Sequence, residues 1–351
     1  MTVFKPVLGV IVRKTLHGRR KIHLLFLLLA LLLLIWYSCS WLAIVTSQAL
    51  LPPPPVQKLE HFRRNRTLEH YIKNTQLLIE PSSSPCSTAE EVPVIILVAS
   101  TPSHFEARQA VRDTWAKHFL TYFVLGLYGN EVDEQLVDNY IEAKLHSDLV
   151  IFDFHDEYAN LTLKSALMMH WTLQRCPQAQ FLFKTDDDVL VNPWTFNLVL
   201  KEHRDDKLVG YKRLESVVHR DEYTKWHLPR WLYSEDTVPQ YLAGAGYLVS
   251  GDYLEKILKQ AHKVPLVNLE DVYFTYLVAY KSLGFSLTHD KRLSPFKPWV
   301  NFGCAYWSRA IVQGLSTDEV RNAWTKIQQI AKENEVCYYF NKYIDSELLL
   351  F

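Results

Sequence analysis

Residues 92–100 read VPVIILVAS, a continuous apolar and β-branched run that is typical of a strand buried on both faces. HFEARQAVRDTWAKHF follows at residues 104–119 with helical spacing. The alternation continues through TYFVLGL (121–127), EVDEQLVDNYIEAKLH (131–146), DLVIFDF (148–154), LTLKSALMMHWTLQRC (161–176) and QFLFKTDDD (180–188). Strands that alternate with helices of this length predict an α/β domain with a mostly parallel sheet and helices on both faces.

The composition is that of a chain with a sizeable apolar core and no excess charge. Its 351 residues suffice for one large domain or two small ones, and 48% of them are apolar. The 38 Lys and Arg side chains balance the 38 Asp and Glu side chains. Net charge therefore gives no reason to expect nucleic acid as a partner.

The first 45 residues have the pattern of a membrane anchor. Residues 22–45 read IHLLFLLLALLLLIWYSCSWLAIV, which is long enough to cross a bilayer as one helix. Residues 1–21 carry six Lys or Arg and no acid, so the positive-inside rule places them in the cytosol. This predicts a cytoplasmic tail (1–21) and a type II transmembrane signal-anchor (22–45). A cleaved signal peptide, with a shorter apolar stretch, is the alternative.

Residues 46–91 contain four consecutive prolines and a Ser/Pro-rich patch, which predicts a stem without a core of its own. The globular, luminal domain would then occupy residues 92–351. Asn65 and Asn160 each begin an Asn-x-Thr sequon, which is used only in the secretory lumen and agrees with this topology. For Asn160, a buried structural amide is the alternative.

Five cysteines fit the same compartment. Cys39 lies in the expected span, which leaves Cys86, Cys176, Cys304 and Cys337. An oxidising lumen predicts at least one disulfide, but four cysteines allow three pairings that the sequence does not resolve. Plain buried thiols are the alternative for some of them.

Three consecutive acids, Asp186, Asp187 and Asp188, follow the fourth predicted strand, at the end of the sheet where ligands bind. Two unit charges about 5 Å apart repel by roughly 3 kcal/mol at an effective dielectric near 20, so Lys184 alone does not offset them. Alternation along an extended segment predicts that Asp186 and Asp188 share a face and that Asp187 opposes them. Paired carboxylates suit Mg²⁺ or Mn²⁺; a solvated turn is the alternative.

Five stretches then occur in the order and spacing of one family: EARQAVRDTW (106–115), DEYANLTLKSALMMHW (156–171), FKTDDDVLVN (183–192), YLAGAGYLVSGD (241–252) and LEDVYFTYLV (269–278). Together they resemble the inverting β-1,3-galactosyltransferase and β-1,3-N-acetylglucosaminyltransferase family (glycosyltransferase family 31). LSTDEVRNAW (315–324) is a weaker match. The resemblance implies a GT-A fold with a Rossmann-like sheet, and Mn²⁺-dependent (or Mg²⁺-dependent) transfer from a UDP-sugar in the Golgi lumen. Residues 92–351 would be the catalytic domain.

The resemblance also implies a donor site. Asp186 and Asp188 would anchor metal and nucleotide, with Asp188 favoured as the direct ligand and Asp187 beside them. Arg108 and Arg112 lie one helical turn apart, so both could reach the nucleotide from one face of the first helix. An ordinary solvated helix face is the alternative for the two arginines.

Acceptor-site residues follow from the other motifs. The family's catalytic base falls on the second acid of LEDVY, Asp271, which would take the proton of the acceptor hydroxyl. Glu270 would be its neighbour in the acceptor pocket, and the alternative for both acids is a helix N-terminus. Further acceptor-site candidates are Gly244 and Gly246, in a loop before an apolar strand, and the stacking aromatics Trp226 and Tyr241, for which core positions are the alternative.

One departure from the family concerns the metal. Many relatives carry a histidine about two dozen residues after the base, but LSPFKPW (293–299) has none. His289 lies nearer the base and is a candidate ligand, with an ordinary surface histidine as the alternative.

The sequence thus predicts a membrane-anchored Golgi enzyme that transfers galactose from UDP-galactose, in β-1,3 linkage and with inversion, to a glycolipid or glycoprotein sugar. Transfer of N-acetylglucosamine is the alternative. A phosphohydrolase with an aspartyl nucleophile and a luminal glycan-binding protein without catalysis are the rival classes.

Overall fold

The computed structural model describes residues 25–41, 59–82, 86, 91–128, 132–299, 301–333 and 337. The chain divides into two units, Met1–Pro55 and Val56–Phe351. In the first unit, helix α1 occupies residues 25–41. Within the described ranges, no helix reaches the length and apolarity that a membrane crossing requires. The expected cytoplasmic tail lies outside the described residues, as do both ends of the expected span.

In the second unit, helices and strands alternate as the pattern from residue 92 predicts. The helices are α2 (Glu60–Arg64), α3 (Leu68–Lys73), α4 (Phe105–Asp113), α5 (Val132–His146), α6 (Leu161–Arg175), α7 (Pro193–Glu202), α8 (Gly251–Ala261), α9 (Gly303–Trp307), α10 (Thr317–Glu333) and a π-helix (Val272–Ser282). The strands are β1 (Leu77–Ile79), β2 (Ile95–Ala99), β3 (Leu120–Leu127), β4 (Leu149–His155), β5 (Phe181–Asp186), β6 (Leu190–Val191), β7 (Leu208–Val217), β8 (Thr237–Ser250), β9 (Thr288–His289) and β10 (Ile311–Val312).

The main sheet has eight strands in the order β1-β4-β3-β2-β5-β8-β7-β9, and β6 pairs with β10 in a small second sheet. Strands β4, β3, β2 and β5 are parallel, but β8 runs antiparallel to both β5 and β7. The sheet is therefore mixed rather than mostly parallel. No described helix separates β7 from β8, and strands joined without a helical crossover pair antiparallel.

Helices cover both faces of this sheet, as expected. Alternate residues of β2 point into two different cores, with Ile95 and Leu97 in one and Ile96 and Val98 in the other. The first core includes side chains of α6, α8 and the π-helix, and the second includes side chains of α4, α7 and α10. The central strands, buried on both sides, hold the loops at their carboxyl ends in place.

Part of the expected stem packs into the globular unit. Leu59, Phe62 and Leu68 are buried in the same core as α6, and β1 pairs antiparallel with β4 at the edge of the sheet. The prediction of a coreless linker over residues 46–91 is wrong for residues 59–79. The proline run ends before this segment, and its apolar residues are placed so that one side of α2 and α3 is buried.

The structure also resolves the pairing of the cysteines. Cys86 pairs with Cys176 at the end of α6, and Cys304 in α9 pairs with Cys337. Cys39 in α1 is a free thiol. The expectation of at least one disulfide among the four is therefore met, and the first bond ties the segment before β2 to the domain.

Candidate active site

Two cavities open around the acids of the sequence motifs. The acid-triplet cavity, of about 330 Å³, is lined by Asp187 and Asp188, by His104 before α4, and by Ser316 and Thr317 at the start of α10. The Asp271 cavity is larger, at about 660 Å³. Its lining includes Asp271, Gly244, Tyr241, Trp226, Leu228, Leu269 and Gln313.

The segment after β10 contacts both cavities. Gln313 lines the Asp271 cavity, and its Nε2 donates to Asp186 Oδ2 at 3.3 Å. Leu315 lines the acid-triplet cavity, and its backbone N–H donates to Asp188 O at 3.2 Å. The two cavities are therefore neighbours, separated by the residues that follow β10.

The acid triplet does not alternate as an extended strand would. Strand β5 ends at Asp186, so the following two acids lie in a turn and both line the acid-triplet cavity. Asp187 Oδ2 accepts from Ser100 Oγ at 2.7 Å and lies 2.9 Å from His104 Nδ1. The hydrogen bond to Asp187 raises the pKa of His104. The prediction that Asp187 opposes Asp188 is wrong because the strand ends at Asp186, before both of these acids.

Gln313 and Lys184 compensate the charge of Asp188 only in part. Its Oδ1 is buried and has no hydrogen-bond partner. Burial, together with the negative charges of Asp186 and Asp187, raises the pKa of Asp188 to about 6. A buried carboxylate oxygen beside two further acids is a hard oxygen ligand that a divalent cation would satisfy. The residues present therefore fit Mn²⁺ or Mg²⁺.

Lys184 connects the acid triplet to the LEDVY motif. Its buried ammonium Nζ lies 2.8 Å from Asp186 Oδ1, 2.9 Å from Glu270 Oε1 and 3.0 Å from Gly244 O. Although burial lowers it, the two carboxylates hold the pKa of Lys184 above its usual range. Sequence reasoning missed this role, although the spacing of two residues along β5 places Lys184 on the same side as Asp186.

Glu270 is buried, and its Oε1 lies within ion-pair distance of Lys184 without forming a hydrogen bond. Its second oxygen, Oε2, accepts from Tyr247 Oη at 2.9 Å and from Ser165 Oγ at 3.2 Å. With Lys184 on Oε1, these contacts keep the carboxylate in one orientation. Tyr247 lies on β8 and Ser165 on α6, and no sequence pattern predicts that they meet at Glu270.

Asp271 faces the larger cavity at the start of the π-helix. Its Oδ1 accepts from its following amide, Val272 N, at 2.8 Å, and its Oδ2 accepts from Gly244 N at 3.1 Å. Burial, and then the negative charge of Glu270, raise the pKa of Asp271 to about 7. Asp271 caps the N-terminus of the π-helix, and it is also a cavity-facing carboxylate with a raised pKa. The helix N-terminus and the catalytic base, which were alternatives in the sequence, are therefore compatible.

The chain matches known proteins over this site. The family model described as Galactosyltransferase matches residues 106–289. Beta-1,3-galactosyltransferase 1 of Homo sapiens is 30% identical over 313 residues, which cover 82% of this chain and 92% of that protein. UDP-GalNAc:beta-1,3-N-acetylgalactosaminyltransferase 1 of Rattus norvegicus is 32% identical over 259 residues, covering 70% of this chain and 76% of that protein.

The chain belongs to the galactosyltransferase family. This confirms the resemblance drawn from the motifs, and with it the class of glycosyltransferases. Among solved structures, a glycosyltransferase involved in the glycosylation of the major capsid of PBCV-1 is 14% identical with a TM-score of 0.32, over 67% of this chain and 98% of that chain.

The two arginines expected at the donor site of this galactosyltransferase-family chain both form ion pairs inside the fold. Arg108 has no exposed surface, and its guanidinium is bidentate to Glu142 on α5, with hydrogen bonds to Ser100 Oγ at 3.0 Å and to Thr101 O at 2.5 Å. Arg112 pairs with Glu142 and, in a bidentate contact, with Asp148. The prediction is wrong for Arg108, because each nitrogen of its guanidinium group donates to a partner inside the fold. Both arginines connect α4 to neighbouring elements.

The prediction that Gly246 belongs to the acceptor pocket of this galactosyltransferase-family chain is not supported by its surroundings. Gly246 and Gly244 lie inside β8 rather than in a loop. A Cβ at Gly246 would meet the ring of Phe183 at 2.5 Å, so this glycine serves packing within the sheet. A Cβ at Gly244 would lie 3.2 Å from both Asp271 Oδ2 and Glu270 Oε1, so this glycine allows the acids to approach the strand.

His289 is not grouped with the acid triplet. It lies in β9, where its Nδ1 accepts from Lys212 N at 3.0 Å, and burial lowers its pKa. Within the described ranges, one group of three potential metal ligands was found, namely Glu202, His203 and Asp290. Arg292 forms ion pairs with Glu202 and Asp290, so an internal cation already occupies that position.

The two sequon asparagines are half-buried and hydrogen-bonded. Asn65 Oδ1 accepts from Thr67 N at 2.8 Å and from Thr67 Oγ1 at 2.6 Å. Asn160 Nδ2 donates to His155 O at 2.8 Å, just before α6 begins. The amide nitrogen of Asn160, to which a glycan would be attached, thus has a structural use, and its glycosylation stays a prediction.

Proposed function

We propose that this chain is an inverting β-1,3-glycosyltransferase in which Asp271 is the general base. The supporting observation is a cavity-facing carboxyl whose pKa, at about 7, matches the pH at which a base must accept a proton and later release it. An acceptor hydroxyl placed at Asp271 would lose its proton to Oδ2 or Oδ1 while its oxygen attacks the anomeric carbon of the donor. Glu270, which pairs with Lys184, lies beside Asp271, and its negative charge adds to the effect of burial in raising the pKa of Asp271.

The neighbouring acid-triplet cavity is the proposed donor site. Asp188 and Asp186 would hold Mn²⁺ or Mg²⁺ together with the nucleotide, and Asp187, fixed by Ser100 and His104, would contribute to UDP binding. When bound, the metal neutralises the charge of the diphosphate leaving group as a Lewis acid. The protein's part is to place Asp188, with one buried oxygen that has no hydrogen-bond partner, directly after Asp186 and Asp187.

Galactose is the proposed donor sugar, because the motif set resembles the galactosyltransferases most and a similar human protein carries that name. N-acetylglucosamine is the alternative, and the name of the rat relative adds N-acetylgalactosamine. The acceptor would be a sugar on a glycolipid or glycoprotein, with Trp226 and Tyr241 in the wall of its cavity.

We further propose that the enzyme is a single-pass type II protein of the Golgi membrane, with residues 22–45 as the anchor. The proposal is supported by the apolar run and by the basic, acid-free residues before it. Two disulfides and two sequons agree with a luminal catalytic domain.

A panel of UDP-sugars, tested with Mn²⁺ and β-linked sugar acceptors, checks the proposed function. We expect transfer from one UDP-hexose and an affinity for UDP that increases with Mn²⁺. Glycan binding without UDP affinity would instead indicate a lectin-like protein. Release of phosphate from phosphomonoesters would indicate a phosphohydrolase.

A further inference from the structure

Arg66 holds two loops together from the segment that precedes β1. Its Nε donates to Leu266 O at 3.0 Å, and its Nη2 donates to Leu232 O at 2.8 Å. A longer contact of 3.4 Å joins Nη1 to Trp231 O. The backbone also takes part, because Arg66 O accepts from Leu266 N at 2.9 Å.

Each of these two loops supplies part of the wall of the Asp271 cavity. The first loop, residues 226–232, contributes Trp226 and Leu228 to the cavity lining. The second, residues 264–271, contributes Leu269 and ends at Asp271. One hydrogen bond, from Asn268 Nδ2 to His227 O at 2.9 Å, links the loops directly. Arg66 thus joins the aromatic part of the wall to the part that carries the proposed base.

We propose that Arg66 is a positioning residue of the acceptor site, which sets the spacing between loop 226–232 and loop 264–271. This inference rests on the proposed function of the Asp271 cavity. It assigns a role in acceptor recognition to a segment whose composition predicts only a stem. The segment is itself fixed to the domain by Leu59, Phe62 and Leu68, which are buried.

The chemistry of the side chain suits this role. A planar guanidinium can donate to several acceptors at once in a fixed geometry, whereas the ammonium of a lysine is a point charge on a flexible chain. Arg66 is half-buried, so the three carbonyl groups that it contacts lie where water would replace it imperfectly. Loss of the guanidinium should therefore let the loops separate rather than simply exchange one partner for another.

The test compares Arg66→Ala with Arg64→Ala in the full chain. Arg64 lies two residues away in α2, is exposed, and its removal changes the net charge equally. We expect the acceptor KM of Arg66→Ala to rise about tenfold, which corresponds to about 1.4 kcal/mol. The affinity for UDP should stay within twofold, and amide hydrogen exchange should accelerate in residues 226–232 and 264–271. Arg64→Ala should behave as wild type in all three measurements.

Two results would overturn the inference. One is an unchanged acceptor KM in a folded Arg66→Ala protein; the other is a fall in thermal stability and in kcat with equal loss of acceptor and UDP affinity. If Arg66→Ala does not fold, Arg66→Lys decides, because it keeps the charge and one hydrogen bond: it should raise the acceptor KM about threefold, and no change would refute the proposal. An inactive wild-type enzyme would refute the proposed function instead, while hydrogen exchange would still decide whether Arg66 holds the loops.

Discussion

The two neighbouring cavities both contain buried carboxylates, but the protein treats their negative charge differently. Beside the Asp271 cavity, Glu270 is matched by Lys184 and Tyr247, and Asp271 accepts from two backbone amides. In the acid-triplet cavity, one oxygen of Asp188 is buried without a partner. One site is therefore compensated mainly from within, whereas the other keeps a buried carboxylate oxygen without a hydrogen bond, for which we propose a divalent cation as the partner.

This difference indicates how one acid cluster can do two kinds of chemistry. Glu270 pairs with Lys184, and burial together with the negative charge of Glu270 raises the pKa of Asp271 to about 7, where a general base works best. The pKa of Asp188 is raised to about 6 by burial and by its neighbouring acids, so it is ionised at neutral pH but electrostatically costly. Binding a divalent cation would remove that cost.

The largest effect is expected for Asp271→Asn, which keeps the shape of the side chain and removes its basicity. Transfer should fall by about 10²–10⁴-fold, the usual contribution of a positioned base. UDP affinity with Mn²⁺ should persist, because the acid triplet is untouched. Single-turnover transfer and UDP titration check this, and near-normal transfer would remove Asp271 from the role of base.

The same residue predicts a pH dependence with a definite sign. A base must be deprotonated, so wild-type turnover should decrease as the pH falls through about 7. The folded pKa lies above the unfolded value of about 3.9, so the folded state binds more protons between these pH values and stability decreases as the pH rises through that window. Asp271→Asn should therefore transfer sugar much more slowly but be no less stable than wild type at pH 8, as thermal unfolding at pH 5 and pH 8 can show.

The next largest effect is expected for the removal of the Asp188 carboxylate. Asp188→Ala should weaken Mn²⁺-dependent UDP binding by at least about 10–100-fold, the range found for groups that only support metal ligands. In wild type, the Mn²⁺ effect should diminish below pH 6, where Asp188 becomes protonated. Asp113→Ala, an exposed acid on α4, is the control. Calorimetry that shows equal Mn²⁺-dependent affinity in Asp188→Ala would contradict the contrast between the cavities.

A smaller effect is expected at Gly244, where β8 lies close to Asp271 and Glu270. Gly244→Ala introduces a Cβ 3.2 Å from Asp271 Oδ2 and from Glu270 Oε1, so these carboxylates must shift by a few tenths of an ångström. Because small misplacements of reacting groups are costly, we expect kcat to fall by about tenfold. UDP affinity should not change. Equal losses of kcat and UDP affinity would mean that the two cavities are not independent.

The sequence was informative where local patterns decide the structure. The apolar runs predicted β2, β3, β4 and β5, and the helical spacing predicted α6 almost to the residue. The antiparallel pairing of β7 with β8 was missed because strand direction depends on the connection between the strands and not on either strand alone. The burial of Leu59, Phe62 and Leu68 was missed because composition suggested a linker up to residue 91.

At the site, motif spacing located the acids but not their partners. Asp271 and Asp188 lie at cavities as expected, although their catalytic and metal-binding roles stay predictions. Arg108 was misread because its partner, Glu142, is 34 residues away on α5, and only the fold brings them together. Gly246 was misread because a glycine that allows packing against Phe183 looks, in sequence, like one that admits a ligand.

The smallest effect is expected at the open side of the Asp271 cavity. Trp226 lines this cavity with nearly half of its surface exposed, and its ring lies 5.5 Å from that of His219. An exposed aromatic face can stack on a sugar, and aromatic pairs contribute roughly 0.5–1.5 kcal/mol beyond the burial of area, so Trp226→Ala should raise the acceptor KM about 2–10-fold.

Comparing the change in acceptor KM with the changes in kcat and UDP affinity decides whether Trp226 belongs to the acceptor site alone. Its removal should leave kcat at saturating acceptor, and UDP affinity, close to wild type, because the residue touches neither Asp271 nor the acid triplet in any hydrogen bond or ion pair described. Trp299→Ala is the matched control, since Trp299 is 82% exposed and does not line the cavity. A change in UDP affinity would place the indole at the donor, whereas an acceptor KM equal to that of the control would leave Trp226 as an ordinary surface aromatic.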